Sequence, residues 1–286
     1  MLSGTHAIRI RLMDFHSDAL KILKETSRTF YIPISRLPSD LQAAVASAYL
    51  CMRAIDEVED SDILDTKSKS QLLRAMSLQL QSQDYEAEKD HFNAIFQPYQ
   101  DLLPEVSLRL SDWSLLADKT IAPRIWDATA AMADRMAYWA EVNWQIDTKQ
   151  DLDRYTFSVA GAVGLLLSDL WSWHDGTTTD RHLAIGFGRG LQAVNILRNQ
   201  KDDLKRGVSF FPEGWQSADM YQYARYQLKL GQLYTDSLSS GPALNFCRIP
   251  LALALGTLEA MSLGKEKLTR SDVLSLVENL MKIKTA

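Results

Sequence analysis

Asp56 and Asp60 are four residues apart, and so are Asn199 and Asp203, about 140 positions further along the chain. At roughly 100° per residue, an i, i+4 pair lies on one face of a helix. Hard oxygen donors in that arrangement suit Mg²⁺, which keeps several waters and binds through one or two carboxylates together with substrate phosphates. Each pair continues a polar stripe within an apolar run: Tyr49 and Arg53 lead into the first, Gln192 and Asn195 into the second. Carboxylates on a helix face that is otherwise buried are costly unless something compensates them. Two such stripes facing one another across Mg²⁺ would hold a diphosphate.

Each feature also has a plainer reading. Glu57, Glu59 and Asp62 beside the first pair are what a solvated acidic helix end would carry. Against this, residues 44–55 are almost wholly apolar except for Tyr49 and Arg53 on the aspartate face, which aims the carboxylates inward. An Asn-x-x-x-Asp spacing means little alone. Its weight comes from the Gln192/Asn195 stripe, from the cations Arg198, Lys201, Lys205 and Arg206, and from its match to the first pair. Asn199 offers a neutral carbonyl oxygen and holds a metal less strongly than aspartate; Asp202 is the alternative donor, about 100° round the helix. Ser27-Arg28-Thr29-Phe30 presents two hydroxyls and a guanidinium to phosphate oxygens, or else is a helix cap.

The elements that must position these groups read as helices. Helical periodicity covers 15–26, 39–61, 66–84, 88–99, 105–117, 121–146, 151–174, 179–206, 217–238, 243–263 and 270–284. No alternating run or Asn-Gly hairpin suggests a strand. Ser39 and Ser217 are expected as caps, and Pro38, Pro104, Pro212 and Pro242 fall in gaps or first turns. Within Tyr155–Gly164, Ala160, Gly161 and Gly164 make one helix unusually thin. Each interior glycine costs about 1 kcal/mol against alanine. Close helix packing, a smooth wall for a long apolar ligand, or both would recover that cost. Gly186-Phe187-Gly188-Arg189-Gly190 has a nucleotide-loop look, but no strand precedes it and it sits inside a helical pattern. Trp171, Trp173 and Trp215 read as core, or as aromatic faces for a carbocation.

Composition narrows the partners. A net charge of −5 leaves no basic surplus for nucleic acid. Cys51 and Cys247 lie in apolar context outside any CxxC pair and read as reduced core thiols. The first 20 residues lack an apolar signal-peptide core, and the longest apolar stretch, Val159 to Leu167, is too short to span a bilayer. The expectation is one all-α domain over residues 1–286, cytoplasmic, touching a membrane surface where a lipidic substrate or product requires it.

Four blocks, in order and sensibly spaced, resemble the squalene/phytoene synthase family of head-to-head prenyl transferases. They are Ser27–Phe30, Tyr49–Asp60, Tyr155–Gly164 and Gln192–Arg206, and the resemblance runs from about Ser27 to Pro212. It implies an all-α isoprenoid-synthase bundle around a central cavity. It also implies Mg²⁺, farnesyl or geranylgeranyl diphosphate as substrate, and NADPH in squalene-forming members. By that resemblance Asp56, Asp60, Asn199 and Asp203 hold metal, and Arg53, Arg206 and Arg28 bind diphosphate. Tyr49, Gln192 and Asn195 orient the substrate, while Ser27, Phe30, Tyr155, Ala160 and Gly164 line its path. The chain departs from the family twice: Asn199 stands where the second motif normally begins with Asp, and Val208-Ser209-Phe210-Phe211-Pro212 replaces an Arg-x-Tyr-Leu/Phe-Pro tail. Loss of coupling would leave a prenyl-diphosphate phosphatase or class I cyclase; loss of chemistry would leave an isoprenoid-binding protein.

Overall fold

The computed structural model describes residues 16–82, 94–265 and 267–282, with the side chains of Arg28, Met281 and Lys282 outside that description. Among the described residues the regular structure is helical throughout, with no strand. Two compact units divide the chain, Met1–Ala137 and Tyr138–Ala286.

In the first unit the Ser39–Glu59 helix is the spine, packed on Arg28–Ile34, Thr66–Gln81, Glu105–Leu108 and Leu110–Ser114. Its apolar face explains why: Leu41, Ala44, Leu50, Cys51, Ala54, Ile55 and Val58 are fully enclosed. Two buried hydroxyls pin it, Ser47 donating to the Trp113 carbonyl (2.7 Å) and Ser107 to the Ala54 carbonyl (3.0 Å). The helix expected over 105–117 is split at Arg109, which bridges Asp18 (2.6 Å), Glu105 (2.7 Å) and Asp112 (3.0 Å) and lies over the Trp113 ring. The Asp18 bond ties the helix over 16–26 to this unit and so fixes where Thr26 and Ser27 emerge.

In the second unit the Arg181–Lys205 helix packs against Lys149–Thr156, Phe157–Gly161, Ala162–Asp175, Ser217–Ser237 and Pro242–Ser262. Two glycine contacts set its depth. A Cβ on Gly188 would lie 2.1 Å from the Ala160 carbonyl oxygen, and one on Gly164 would lie 2.2 Å from that of Ala184. Backbone meets backbone at both points, which recovers the glycine cost. Gly186–Gly190 is therefore helix interior and no loop. The helix expected over 151–174 runs as Lys149–Thr156, a π-turn at Phe157–Gly161, and Ala162–Asp175. Periodicity at 3.6 residues does not register one inserted residue.

Both expected serine caps shift by one position. Pro38 precedes the helix that Ser39 begins, without a side-chain cap, and Gln216 precedes Ser217, its N–H donating to the Asp219 carboxylate (2.8 Å). Of the stretch expected over 88–99, residues 88–93 lie outside the description; 94–96 is helical and Gln97–Tyr99 a 3₁₀ turn. Among the described residues one helix, Pro242–Ser262, is long and apolar enough to cross a membrane, and 56% of its apolar window is buried in the unit. Cys51 and Cys247 are free and buried, their thiols pushed up by loss of hydration.

Candidate active site

The first acidic stripe occupies the last three turns of Ser39–Glu59. Tyr49, Arg53 and Asp56 are half-buried there and Asp60, the C-cap, is exposed. Ser27 caps the Arg28–Ile34 helix, its hydroxyl accepting from the Phe30 N–H (3.1 Å). The capping reading of that block is thus correct. The hydroxyls of Ser27 and Thr26 lie beside the Tyr49 phenol, and the Phe30 ring lies 5.8 Å from the Tyr49 ring. Ser27, Phe30 and Tyr49 are brought together. Arg28 opens the short helix, and its side chain lies outside the description. Burial raises the Tyr49 pKa above its ordinary value; hydrogen bonds from Ser27 and Thr26 and the charge of Arg53 only partly oppose it.

Arg53 and Asp56 carry the electrostatics. An Arg53 Nη2 donates to Glu57 Oε1, while its Nε is buried without a hydrogen-bond partner. Loss of hydration pushes Asp56 up to about 7; Arg53 pulls it back, and the charges of Asp60 and Glu57 push it further. Near neutrality this carboxyl is poised between forms because its one cationic neighbour is shared with Glu57. A carboxylate in that condition needs positive charge, and a guanidinium N–H without a partner has room for an oxyanion.

The second stripe lies on the C-terminal half of Arg181–Lys205. Gln192 and Asn195 are half-buried, Asn199 is exposed, and Asp203 is 7% exposed. Here the charges are already matched. Arg206 Nη2 donates to Asp203 Oδ1 (2.7 Å), Arg198 Nε to Asn199 Oδ1 (3.2 Å), and Lys205 Nζ to Asp202 Oδ1 (2.7 Å). Asp202 is exposed and paired with Lys205. The hydrogen bond and charge of Lys205 hold its carboxyl below the usual range.

Tyr155 is buried, edge-on to Trp139 (5.4 Å, 89°) and stacked on Phe210 (4.7 Å, 21°). Phe210 belongs to the divergent tail, so an aromatic stack anchors that segment. Ala160 and Gly164 serve the backbone approach described above. Trp171, 1% exposed, packs on Phe246 as core.

One cluster had no counterpart in the sequence reading. Tyr223 donates to Asp153 (2.8 Å) and bonds the Thr156 hydroxyl (3.1 Å), Lys149 pairs with Asp153 (2.7 Å), and Arg189 donates to the Asp153 carbonyl (2.9 Å). This network brackets the turn just ahead of the π segment. Its only sequence signal was Arg189 inside the glycine-rich stretch, where loop-like spacing hid a helix residue.

The donor set tests whether Mg²⁺ fits. Among the described residues no group of three or more His, Cys, Asp or Glu side chains forms a self-sufficient metal cage. A half-buried carboxylate short of positive charge suits an ion held by one or two carboxylates, waters and phosphate oxygens. The under-compensated Asp56 and the buried Arg53 Nε agree with it.

An all-helical protein with two oxygen-rich helix stretches is the class that fold and site define. A family model for squalene/phytoene synthase matches residues 23–219. The chain belongs to the squalene/phytoene synthase family. It is 30% identical over 284 residues to a squalene synthase of Eremothecium gossypii, covering 88% of this chain and 63% of that protein. Against a squalene synthase of Rattus norvegicus the identity is 29% over 268 residues, covering 84% of this chain and 62% of that one. The chain thus spans about three fifths of the length of the curated relatives it matches. A solved ligand complex of TcSQS shares the fold with a TM-score of 0.76 at 21% identity, covering 93% of this chain and 86% of that one.

Proposed function

We propose that the chain is a Mg²⁺-dependent prenyltransferase that joins two prenyl diphosphates head to head through a cyclopropyl diphosphate. The observation that carries this reading is the half-buried Asp56, raised to about 7 beside an Arg53 whose Nε is unused. Family membership and squalene synthase relatives support the reaction class.

In this reading both stripes act on the same diphosphate substrate. Asp56, Asp60, Asn199 and Asp203 hold metal. When bound, Mg²⁺ supplies positive charge for the departing diphosphate. Arg53, Arg206 and Arg28 bind the diphosphate oxygens, and Arg206 exchanges its bond to Asp203 for them. Tyr49, held by Ser27 and Thr26, orients the first substrate with Gln192 and Asn195. The C1–O bond of one substrate breaks, its electron pair leaving with diphosphate. The double bond of the second substrate attacks the allylic cation, and proton loss closes the cyclopropane. Its diphosphate then leaves in turn, and the rearranged cation is quenched by hydride from NADPH or by proton loss. Exclusion of water keeps the cation alive. Lipidic substrates bring the protein to a membrane surface on the cytoplasmic side.

A second reading rests on Asn199, whose oxygen is exposed and already bonded to Arg198. A weakened second metal position favours ionisation of one substrate without coupling, as in a phosphatase or a class I cyclase. Incubation of the pure chain with labelled farnesyl or geranylgeranyl diphosphate, Mg²⁺ and NADPH separates the cases. A C30 or C40 hydrocarbon or a cyclopropyl diphosphate is the expected product. Farnesol or a cyclic C15 product selects the second reading, and unchanged substrate overturns both.

A further inference from the structure

Within the second unit, the three last helices, Ser217–Ser237, Pro242–Ser262 and Arg270–Lys282, border a half-open pocket of about 400 Å³. Its floor is apolar: Leu238, Leu244, Leu251, Ala252, Leu255 and Leu280. On Pro242–Ser262, positions 244, 248, 251, 252 and 255 recur at three- and four-residue intervals, so they form one face. Phe246 and Cys247 are almost fully buried, at 3% and 1%, and turn to the core on the other side.

Arg248 stands in this apolar face. It is half-buried and has neither an ion pair nor a hydrogen bond among the described residues. The neighbouring acid does not neutralise it: Asp236 is exposed at the rim, where its Oδ1 accepts from Gln232 Nε2 (2.8 Å). Thr235, also lining the pocket, donates to the Gly231 carbonyl (2.9 Å). Among the described residues Arg248 and Asp236 are thus both without an ion pair, the guanidinium half-buried against the leucines and the carboxylate exposed.

This place is remote from the acidic stripe of the same unit. Ser217–Ser237 runs antiparallel to Arg181–Lys205, for a Cβ on Gly190 would meet Leu228 and one on Gly231 would meet Phe187. From Phe187 to Asp203 the helix rises about 24 Å at about 1.5 Å per residue. Residues 232–238 continue away from Asp203 beyond that level.

We propose that this pocket is a second ligand site, which binds a free amphiphilic carboxylate. The chain packs among the leucines and the carboxylate head pairs with Arg248. The volume falls within the range of sites for small molecules. A single negative charge fits better than a phosphate, because Asp236 at the rim repels a dianion.

Calorimetric titration of the full chain with dodecanoate, and with dodecanol as the neutral counterpart, tests this. Dodecanoate is expected to bind at one site and dodecanol at least about tenfold more weakly, the loss of one charge-assisted pair. Arg248→Gln should remove the difference between the two probes. Ala252→Phe should block both, with melting curves confirming that each variant folds. Asp56→Asn, at the other candidate site, should leave dodecanoate binding unchanged. Equal binding of acid and alcohol to the unaltered chain overturns the proposal, as does loss of binding in Asp56→Asn. Binding to phosphatidylglycerol vesicles without binding of free dodecanoate points instead to a lipid surface and also overturns it.

Discussion

The two acidic stripes differ in how their charge is balanced. On the Ser39–Glu59 helix, Asp56 and Glu57 share one guanidinium and Asp56 is pushed up to about 7. On the Arg181–Lys205 helix, Asp203 has Arg206 and Asp202 has Lys205, each at 2.7 Å. The first stripe is short of positive charge, whereas the second has its own cations and must release them before it can serve a ligand. Similar spacing in sequence therefore conceals unequal demand for metal. The first stripe should dominate metal capture, and the second should govern how the leaving group is held.

Replacement of residues on either side tests that division. Asp56→Ala should have the largest effect, lowering prenyl diphosphate turnover about 10³-fold, as expected when a main source of transition-state charge stabilisation is lost. Steady-state assays with Mg²⁺ titrated to saturation will show whether added metal rescues it; full rescue would demote the first stripe. Asp203→Asn should cost about 10²-fold. It keeps an oxygen acceptor for Arg206 and removes only the charge, and the arginine side chain is 43% exposed, so the melting temperature should hold. Asn199→Asp should be milder still, a several-fold fall in the Mg²⁺ concentration for half-maximal activity with turnover kept. An unchanged metal requirement would remove Asn199 from the ligand set.

The smallest effect is one of pH. The folded-state pKa of Asp56, about 7, lies above the ordinary carboxylate value of 3.8. Between those values the folded chain binds more protons than the unfolded one, so stability is lost as pH rises toward and through 7. Melting temperatures of the metal-free protein should fall from pH 5 to pH 8 by a few degrees. Asp56→Asn should flatten that slope.

The sequence made the helices legible because their apolar period is regular, and it located both stripes because i, i+4 spacing survives folding unchanged. Ser27 and Tyr49 illustrate what it left out. Their blocks were visible, but their juxtaposition depends on where Arg109 and Asp18 hold the first helix, across 91 residues of sequence. The π-turn at Phe157–Gly161 was hidden because one extra residue barely disturbs periodicity. Asp56 and Asp203 looked equivalent in spacing; their difference arises from side-chain partners three or four residues away, where Arg53 turns to Glu57 and Arg206 to Asp203.

The central claim is that both stripes serve one diphosphate, and a double-mutant cycle on binding addresses it directly. Mg²⁺-dependent affinity for an unreactive farnesyl thiolodiphosphate would be measured for the unaltered chain, Asp56→Asn, Asp203→Asn and the double variant. The account predicts strong non-additivity, the double variant binding at least about tenfold better than the product of the single losses implies, because either change dismantles the same site. Losses that simply add in free energy, as they do for distant independent positions, would contradict it.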